Sequence, residues 1–498
     1  MAGKRKKTHW AVRRKNKQAR RDDGDEQQED TEPRADRRAD RSDAIHPGSY
    51  AAQRPRSESP AAAGAPSLPP KRRYGLWVAF CGRDYSGMQM NEGVKTIEAE
   101  LERALFEAGG IAESNYGFLQ KIGWSRAART DKGVHAAGQL LTAKLHVGDD
   151  LPAFVAKANA ALPEDIRITH MVTVTKNFNA KTSCDQRTYE YLAPTFVFGR
   201  RAPAVASKDA ETEKGEEKGA GGATQWPSDL RDTEEGFDDS VVIDNTTLEA
   251  HKAFRISDET LEQLNATLKQ YVGTHNFHNF TSKMEPTNPQ ANRFIISFEA
   301  ERPFVQNDME WVRLRVVGQS FLLHHIRKMI GTAVEIVSGV TEPSTIERAM
   351  ALTKMDLPKA PSVGLYLAQA HFEVYNMKME DSIQTSHPPL DLKEPAVAAA
   401  VEQFKRDFIF DHIMKHEERT RTYAKWLRTM EVLPFDYVAK PFLEWKKEKE
   451  EEALRTDRAG RRELAKAARA GVAAQASNSA GTPAAEEGAK LEEAPASS

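Results

Sequence analysis

Residues 126–138 read RAARTDKGVHAAG and gather Arg129, Asp131 and Lys132 into four consecutive positions. Cations beside a carboxylate favour its charged form. A charged carboxylate partly withdrawn from water is a nucleophile or a base. Gly133 follows at once, and glycine permits the tight turn that would set Asp131 at a loop tip. Composition leaves a second reading open, since Arg-Asp-Lys clusters are also common as surface ion networks. His135, just beyond the turn, would either touch a phosphate or cap the loop. Tyr189 and Tyr191 alternate along residues 187–192 and share one strand face, so spacing does not choose between them. Arg327 stands in a strongly apolar helical stretch, where an arginine is either paired or reaches out to water. His324 and His325 are adjacent and point to different helix faces, a poor arrangement for metal binding. Phe277 and Phe280 read as core side chains before they read as base-stacking ones.

Elements that could hold these residues are visible in the pattern. Residues 74–81 form a short apolar run with aromatics, the mark of a buried strand. Thr96 caps a helix whose Ile97, Leu101, Leu105 and Ala108 fall on one face, and Gly109-Gly110 closes it. Residues 141–147 alternate as a half-buried strand. A second helix carries Leu261, Leu264, Leu268 and Tyr271, and Gly273 ends it. Residues 294–299 and 310–318 read as strands, 321–337 as an apolar helix and 365–374 as a last strand. Strands and helices interleave but hairpin-like strand pairs recur, which predicts an α+β fold.

The 498 residues are 39% hydrophobic and 29% charged, with a formal net charge of −2. That near-neutral total hides segregation. Residues 1–70 are poor in apolar side chains and open with a basic run (Lys4 to Lys7, then Arg13 to Arg21), read as a disordered tail that serves nuclear import or RNA binding, or is only solvated. Residues 199–250 are an acidic, Gly-rich insert. Residues 378–395 read as a linker, 396–455 as a helical extension whose apolar face includes Phe404, Phe408, Ile409, Ile413, Trp426 and Leu427, and 456–498 as a second disordered tail. Two cysteines, Cys81 and Cys184, suit neither a disulfide framework nor a zinc module and fit a reducing compartment. No apolar run is long enough for a membrane span.

The segment around Asp131 resembles the catalytic motif of the TruA family of pseudouridine synthases, in particular its eukaryotic multisite tRNA branch. Further motifs follow in that family's order: FCGRDYSGMQ, TIEAEL, CDQRTYEYLAPT from Cys184, GTHNFHNFTS from Gly273, GQSFLLHHIRKMIG from Gly318 and APSVGLYLAQAHF from Ala360. The resemblance spans roughly residues 71–375, broken by the acidic insert. Several long motifs in one order are far more specific than a single short one.

The resemblance implies two halves, residues 71–198 and 251–377, whose strands join in one long mixed, largely antiparallel sheet with a central catalytic cleft and a C-terminal helical extension. It makes Asp131 the catalytic aspartate and Arg327 its ionic partner. Tyr189 would stack on the uracil and take part in removing the C5 proton. Arg129 would help displace the target nucleotide. Arg126, Lys132, His135, Arg187 and Lys328 are the further RNA-binding candidates. The reaction breaks the glycosidic bond, turns the uracil and joins C5 to the same ribose carbon, after the nucleotide has been flipped from its stack. Whether the carboxylate attacks uracil C6 or acts at the ribose stays open.

The isomerisation is redox-neutral, so no cofactor is expected. The expected partners are tRNA, with snRNA and mRNA as further candidates, and no membrane; the chain is expected to be a monomer in the nucleus, with a mitochondrial share left open. A non-catalytic RNA-binding factor and a base-removing glycosylase are the competing classes. The first leaves the Asp131, Arg129, Tyr189 and Arg327 set without a use, and the second would release free uracil.

Overall fold

Strands β1 (Lys71–Phe80), β2 (Ser125–Arg126), β3 (His135–His146) and β4 (Ile166–Thr173) build the first part of the sheet, with helices α1 (Ile97–Glu107) and α2 (Leu151–Ala161) between them. The short α3 (Ala180–Ser183) leads into β5 (Gln186–Pro194). After the insert come α4 (Asn245–Ala253), α5 (Asp258–Lys269), β6 (Gly273–Asn276), β7 (Asn292–Ala300), β8 (Phe304–Gln306) and β9 (Met309–Gly318). Then follow α6 (His325–Val337), α7 (Thr345–Met350), β10 (Thr353–Lys354), β11 (Leu365–His371) and α8 (Glu373–Glu380). The extension contributes α9 (Pro395–Phe404), a π-helical turn (Lys405–Phe410), α10 (Asp411–Thr420), α11 (Thr422–Val432) and β12 (Lys440–Pro441). This computed structural model describes residues 68–201, 241–381, 387–432, 435, 437 and 440–448. The basic N-terminal run, most of the acidic insert and the expected C-terminal tail lie outside the described residues.

Ten strands form one sheet in the order β4-β1-β3-β11-β5-β9-β7-β6, with β2 on β3 and β8 on β9. Only β3 and β11 run parallel, through the pairs Tyr366 with His135 and Leu367 with Ala136. Every other pairing in this sheet is antiparallel. The expected mixed, largely antiparallel α+β architecture is therefore present. Its centre has a feature the chain order hides. β11, from the second half of the chain, sits between β3 and β5, both from the first half. The two halves interleave at the middle of the sheet, so neither end can shift without disturbing β5 and β11.

Local chemistry explains the elements beside the centre. Leu76, Trp77, Val78, Ala79 and Phe80 are all fully buried, so both faces of β1 are covered. Helix α1 starts where Thr96 accepts from the Ala99 amide and turns Ile97, Leu101 and Leu105 into the core. Burying each such side chain contributes about 1.5–3 kcal/mol, and losing the cap would cost about 1 kcal/mol.

Four boundaries differ from the sequence reading. Helix α6 begins at His325 and not at 321, because residues 321–324 make a turn that ends in His324 at φ 59°. β11 stops at His371, and the chain turns into α8, whose Val374 amide is held by Asp185. Residues 245–250, assigned to the insert, start helix α4 on an Asp244 cap. In the segment read as a linker, Leu390 and Leu392 are buried in the main core.

The extension seals one face of the sheet. Glu190 on β5 is almost wholly buried and meets Lys405 of the π-helical turn at 3.2 Å and Arg315 of β9 at 2.8 Å. Arg313 lies at 3.6 Å, and the Tyr366 hydroxyl donates to the same carboxylate. Burial alone would raise the Glu190 carboxyl, but Lys405, Arg313, Arg315 and Tyr366 together hold it below its ordinary value. Tyr423 of α11 donates to the Leu192 carbonyl at 2.6 Å, fastening the extension to β5 a second time.

Candidate active site

Residues 127–134 connect β2 to β3 as a hairpin loop. Its tip is a turn in which the Val134 amide donates to the Asp131 carbonyl at 3.2 Å, with Gly133 at φ 78°. A side chain at that φ would strain the backbone, so glycine is required there. Asp131, Arg129 and Lys132 are all exposed on this tip.

The loop is irregular, and its polar backbone is held by buried side chains and neighbouring strands. Gln139 on β3 accepts from the Ala128 amide at 3.1 Å and donates to the Ala128 carbonyl at 2.8 Å. Arg187 donates to the carbonyls of Ala127 and Gln319, at 2.9 and 2.8 Å, and so ties the loop to the end of β9. Glu98 of α1 accepts from Arg126 at 2.6 Å, from the Trp124 indole at 2.7 Å and from the Met90 amide at 2.9 Å. The segment after β1 closes against the loop from below. The Met88 amide donates to the Thr130 carbonyl, and the Gly82 amide donates to His135 Nδ1 at 2.9 Å. A Cβ on Gly82 would lie 2.3 Å from the Val134 carbonyl oxygen, so only glycine lets these segments approach.

The opposite wall is the turn into α6. Arg327 is 5% exposed, and Ala360 holds it twice: the arginine Nε donates to the Ala360 carbonyl at 2.6 Å, and the Ala360 amide donates to the Arg327 carbonyl at 3.0 Å. Between the walls lies a cleft of about 320 Å³, which Asp131, Arg129, Tyr189, Phe321, Leu323 and Arg327 help to line. Tyr189 meets Phe321 edge to face at 5.3 Å. Burial pushes the Tyr189 phenol up to about 12; the Arg187 charge opposes this, while Cys184 and Asp131 add to it. At neutral pH Tyr189 is therefore a protonated phenol with an apolar face turned to the cleft.

A cleft of this size, with a carboxylate at its mouth, a guanidinium in its wall and an aromatic floor, suits a flat polar ring that must be held while its bonds change. A family model described as tRNA pseudouridine synthase matches residues 267–373, which include Arg327 and β11 but not Asp131. The pseudouridylate synthase 1 homolog of Mus musculus is 38% identical over 374 residues, 74% of this chain and 76% of its own length. This chain belongs to the TruA family of pseudouridine synthases. The Homo sapiens pseudouridylate synthase 1 homolog is 40% identical over 370 residues, 73% of this chain and 74% of its own. The tRNA pseudouridine synthase 1 of Saccharomyces cerevisiae is 36% identical over 345 residues, 62% of this chain and 63% of its own.

In this synthase the residues singled out from sequence separate into two groups. Asp131, Arg129, Tyr189 and Arg327 share the cleft. The others do not line it. Arg126 is committed to Glu98, Arg187 to two carbonyls, and Lys328 donates to the Asn279 carbonyl at 3.3 Å. Of the two readings of His135, its burial at 1% exposure speaks against a phosphate contact, and its bond to the Gly82 amide at the loop agrees with a capping role. Its Nδ1 accepts from Gly82, so the neutral ring carries its proton on Nε2. Burial, with His412 beside it, pushes this imidazole down to about 3. A histidine just after a glycine turn reads as exposed, but β3 already starts there, beneath the extension. Asp131 stands exposed at the mouth of this cleft, which it also lines.

Tyr191, the alternative to Tyr189, is buried and donates to the Pro361 carbonyl at 2.9 Å. Phe277 and Phe280 are core residues, as expected. Gln139 escaped the sequence reading, although a polar side chain inside the apolar run 136–141 was a usable sign of a buried partner.

Proposed function

We propose that this synthase isomerises uridine to pseudouridine at several positions of tRNA, with Asp131 as the carboxylate that acts on the target nucleotide. The observation that carries this reading is the placement of Asp131 on a glycine-closed turn at the mouth of the cleft that Tyr189 and Arg327 also line. The names of the relatives, tRNA pseudouridine synthase 1 among them, support tRNA as the substrate. We extend the substrate range to snRNA and mRNA, and we place the protein in the nucleus as a monomer, on its basic N-terminal run and its family branch.

The geometry supports the following roles. A uridine flipped from its helix enters the cleft and covers Asp131, removing the water that now reaches it. Arg327, fixed by Ala360, supplies the positive charge that keeps the covered carboxylate ionised, since an unpaired charge in a dry site would take up a proton. The N1–C1′ bond breaks, with Asp131 bonding either to uracil C6 or to C1′. The detached ring turns against the faces of Tyr189 and Phe321. C5 then joins C1′, the bond to Asp131 breaks and returns the free carboxylate, the C5 proton leaves and N1 gains a proton, so atoms and charge balance without an added reagent. The protonated Tyr189 phenol is poorly suited to take the C5 proton, and we assign the residue to holding the ring. Arg129, exposed at the mouth, engages the RNA backbone beside the target.

Incubating the protein with tRNA and mapping pseudouridine tests this reading. The wild type forms pseudouridine without releasing free uracil, and Asp131→Ala binds the tRNA but forms none. Free uracil would indicate a glycosylase, and product from the Asp131→Ala variant would overturn the assignment.

A further inference from the structure

Nine large apolar side chains are exposed among the described residues, and Leu323 is the one that lines the cleft. It is 55% exposed. Its neighbours Phe321 and Leu322 pack against the core, so Leu323 alone of the three faces outward. The turn that presents it is tightly held. The His325 amide donates to the Leu322 carbonyl at 3.2 Å, and the Lys328 amide donates to the His324 carbonyl at 2.9 Å. His324 takes φ 59°, a left-handed conformation that is unfavourable for a side-chain-bearing residue and that ends the turn directly after Leu323. A strained backbone holding an unburied leucine does nothing evident for stability, because the leucine gives up the burial that would stabilise the fold.

We propose that Leu323 is the wedge that enters the RNA stack when the target uridine leaves it. The inference rests on the pseudouridine reading above and adds a second displacing group, on the wall opposite Arg129. Flipping a nucleotide opens a gap between two base planes, and proteins that unstack nucleic acid commonly fill such a gap with an apolar side chain. Leucine has the size for this, and a rigid turn delivers it without a further ordering cost. Arg129 answers the charge of the backbone; Leu323 answers the exposed faces of the flanking bases.

The test compares wild type, Leu323→Ala and Leu323→Met in single-turnover pseudouridine formation on two RNAs. Both are the same hairpin carrying the target uridine, opposite adenine in one and opposite a mismatched base in the other. A mismatched uridine is already loosely stacked and costs less to extrude. The wedge predicts that Leu323→Ala slows the paired target by about tenfold or more and the mismatched target much less, while Leu323→Met stays near wild type on both. A 2-aminopurine beside the target should brighten when wild type binds and stay dim with Leu323→Ala. Equal slowing on both RNAs, or no slowing with an unchanged fluorescence rise, would overturn the wedge and leave the activity standing. Absence of pseudouridine from wild type on either RNA would overturn both. The variant side chain is exposed, so unfolding is not an expected outcome, and an unchanged melting curve checks this.

Discussion

Tyr189 and Glu190 are neighbours on one strand, yet they serve opposite faces of the sheet. Tyr189 looks into an open cleft whose carboxylate is exposed and whose loop is held by the side chains of Gln139 and Arg187. Glu190 looks into a sealed layer, where Lys405, Arg313, Arg315 and Tyr366 converge on one buried carboxylate. The difference separates two uses of charge. On the sealed face every charge has a partner within the protein and the arrangement fixes the position of β5. On the open face a charged group is left accessible to water and to a substrate. The strand thus holds Tyr189 still because its other face is locked.

This contrast fails or sharpens under substitution. The largest effect on stability is expected from Glu190→Ala, which strands Lys405 and the arginines without their counter-charge; about 3–5 kcal/mol should be lost, measured by denaturant unfolding. A small loss would mean that the clamp does not lock β5. On the open face, Gln139→Leu leaves the amide and carbonyl of Ala128 without this partner, at about 1–3 kcal/mol in all. It should also slow turnover more than it weakens RNA binding, because the displaced element is the loop bearing Asp131.

The next effect is pH dependence. His135 and His412 are held neutral by burial, at about 3 and about 4 respectively. In the unfolded chain both titrate near 6.5. Their folded values are depressed, so the unfolded state binds more protons as the pH falls below that range. Stability should therefore be full above about pH 6.5 and decline progressively toward pH 4. Glu190 adds to the loss at still lower pH, since its folded value is also depressed. Glu102 and Glu417, each raised by burial to about 7, oppose part of this loss; a flat profile between pH 7 and 5 would mean that they cancel it or that the imidazoles are solvated. A smaller effect is Tyr191→Phe, which gives up its hydrogen bond to Pro361, about 1 kcal/mol, with turnover retained; Tyr189→Phe, the smallest, should leave stability unchanged. If the two exchanged these behaviours, Tyr191 and not Tyr189 would be the cleft residue.

What the sequence made legible follows from the range of the interactions involved. Thr96 capping α1 and Gly133 turning the loop are decided within four residues, and both were readable. The order of motifs carried the sheet architecture through resemblance, but chain order could not show β11 slotting between β3 and β5. Tyr189 and Tyr191 share a period and differ only in what lies across from them. The burial of His135 was hidden for the same reason: it is made by the extension, with His412 against its ring at 5.2 Å. Glu98, in the first turn of α1, is the anchor of Arg126, 28 residues away, a partner that no local pattern announces. Glu190 gave no signal at all, because its partner Lys405 is 215 residues distant.

The most direct test sets Asp131→Asn beside Glu190→Gln and measures, for each, pseudouridine formed in tRNA per folded molecule together with the thermal unfolding midpoint. Asp131→Asn should abolish product at an unchanged midpoint, and Glu190→Gln should lower the midpoint while its folded molecules still turn over. Product from Asp131→Asn, or a fully folded Glu190→Gln protein that forms none, would contradict the division of the two faces into one that reacts and one that holds.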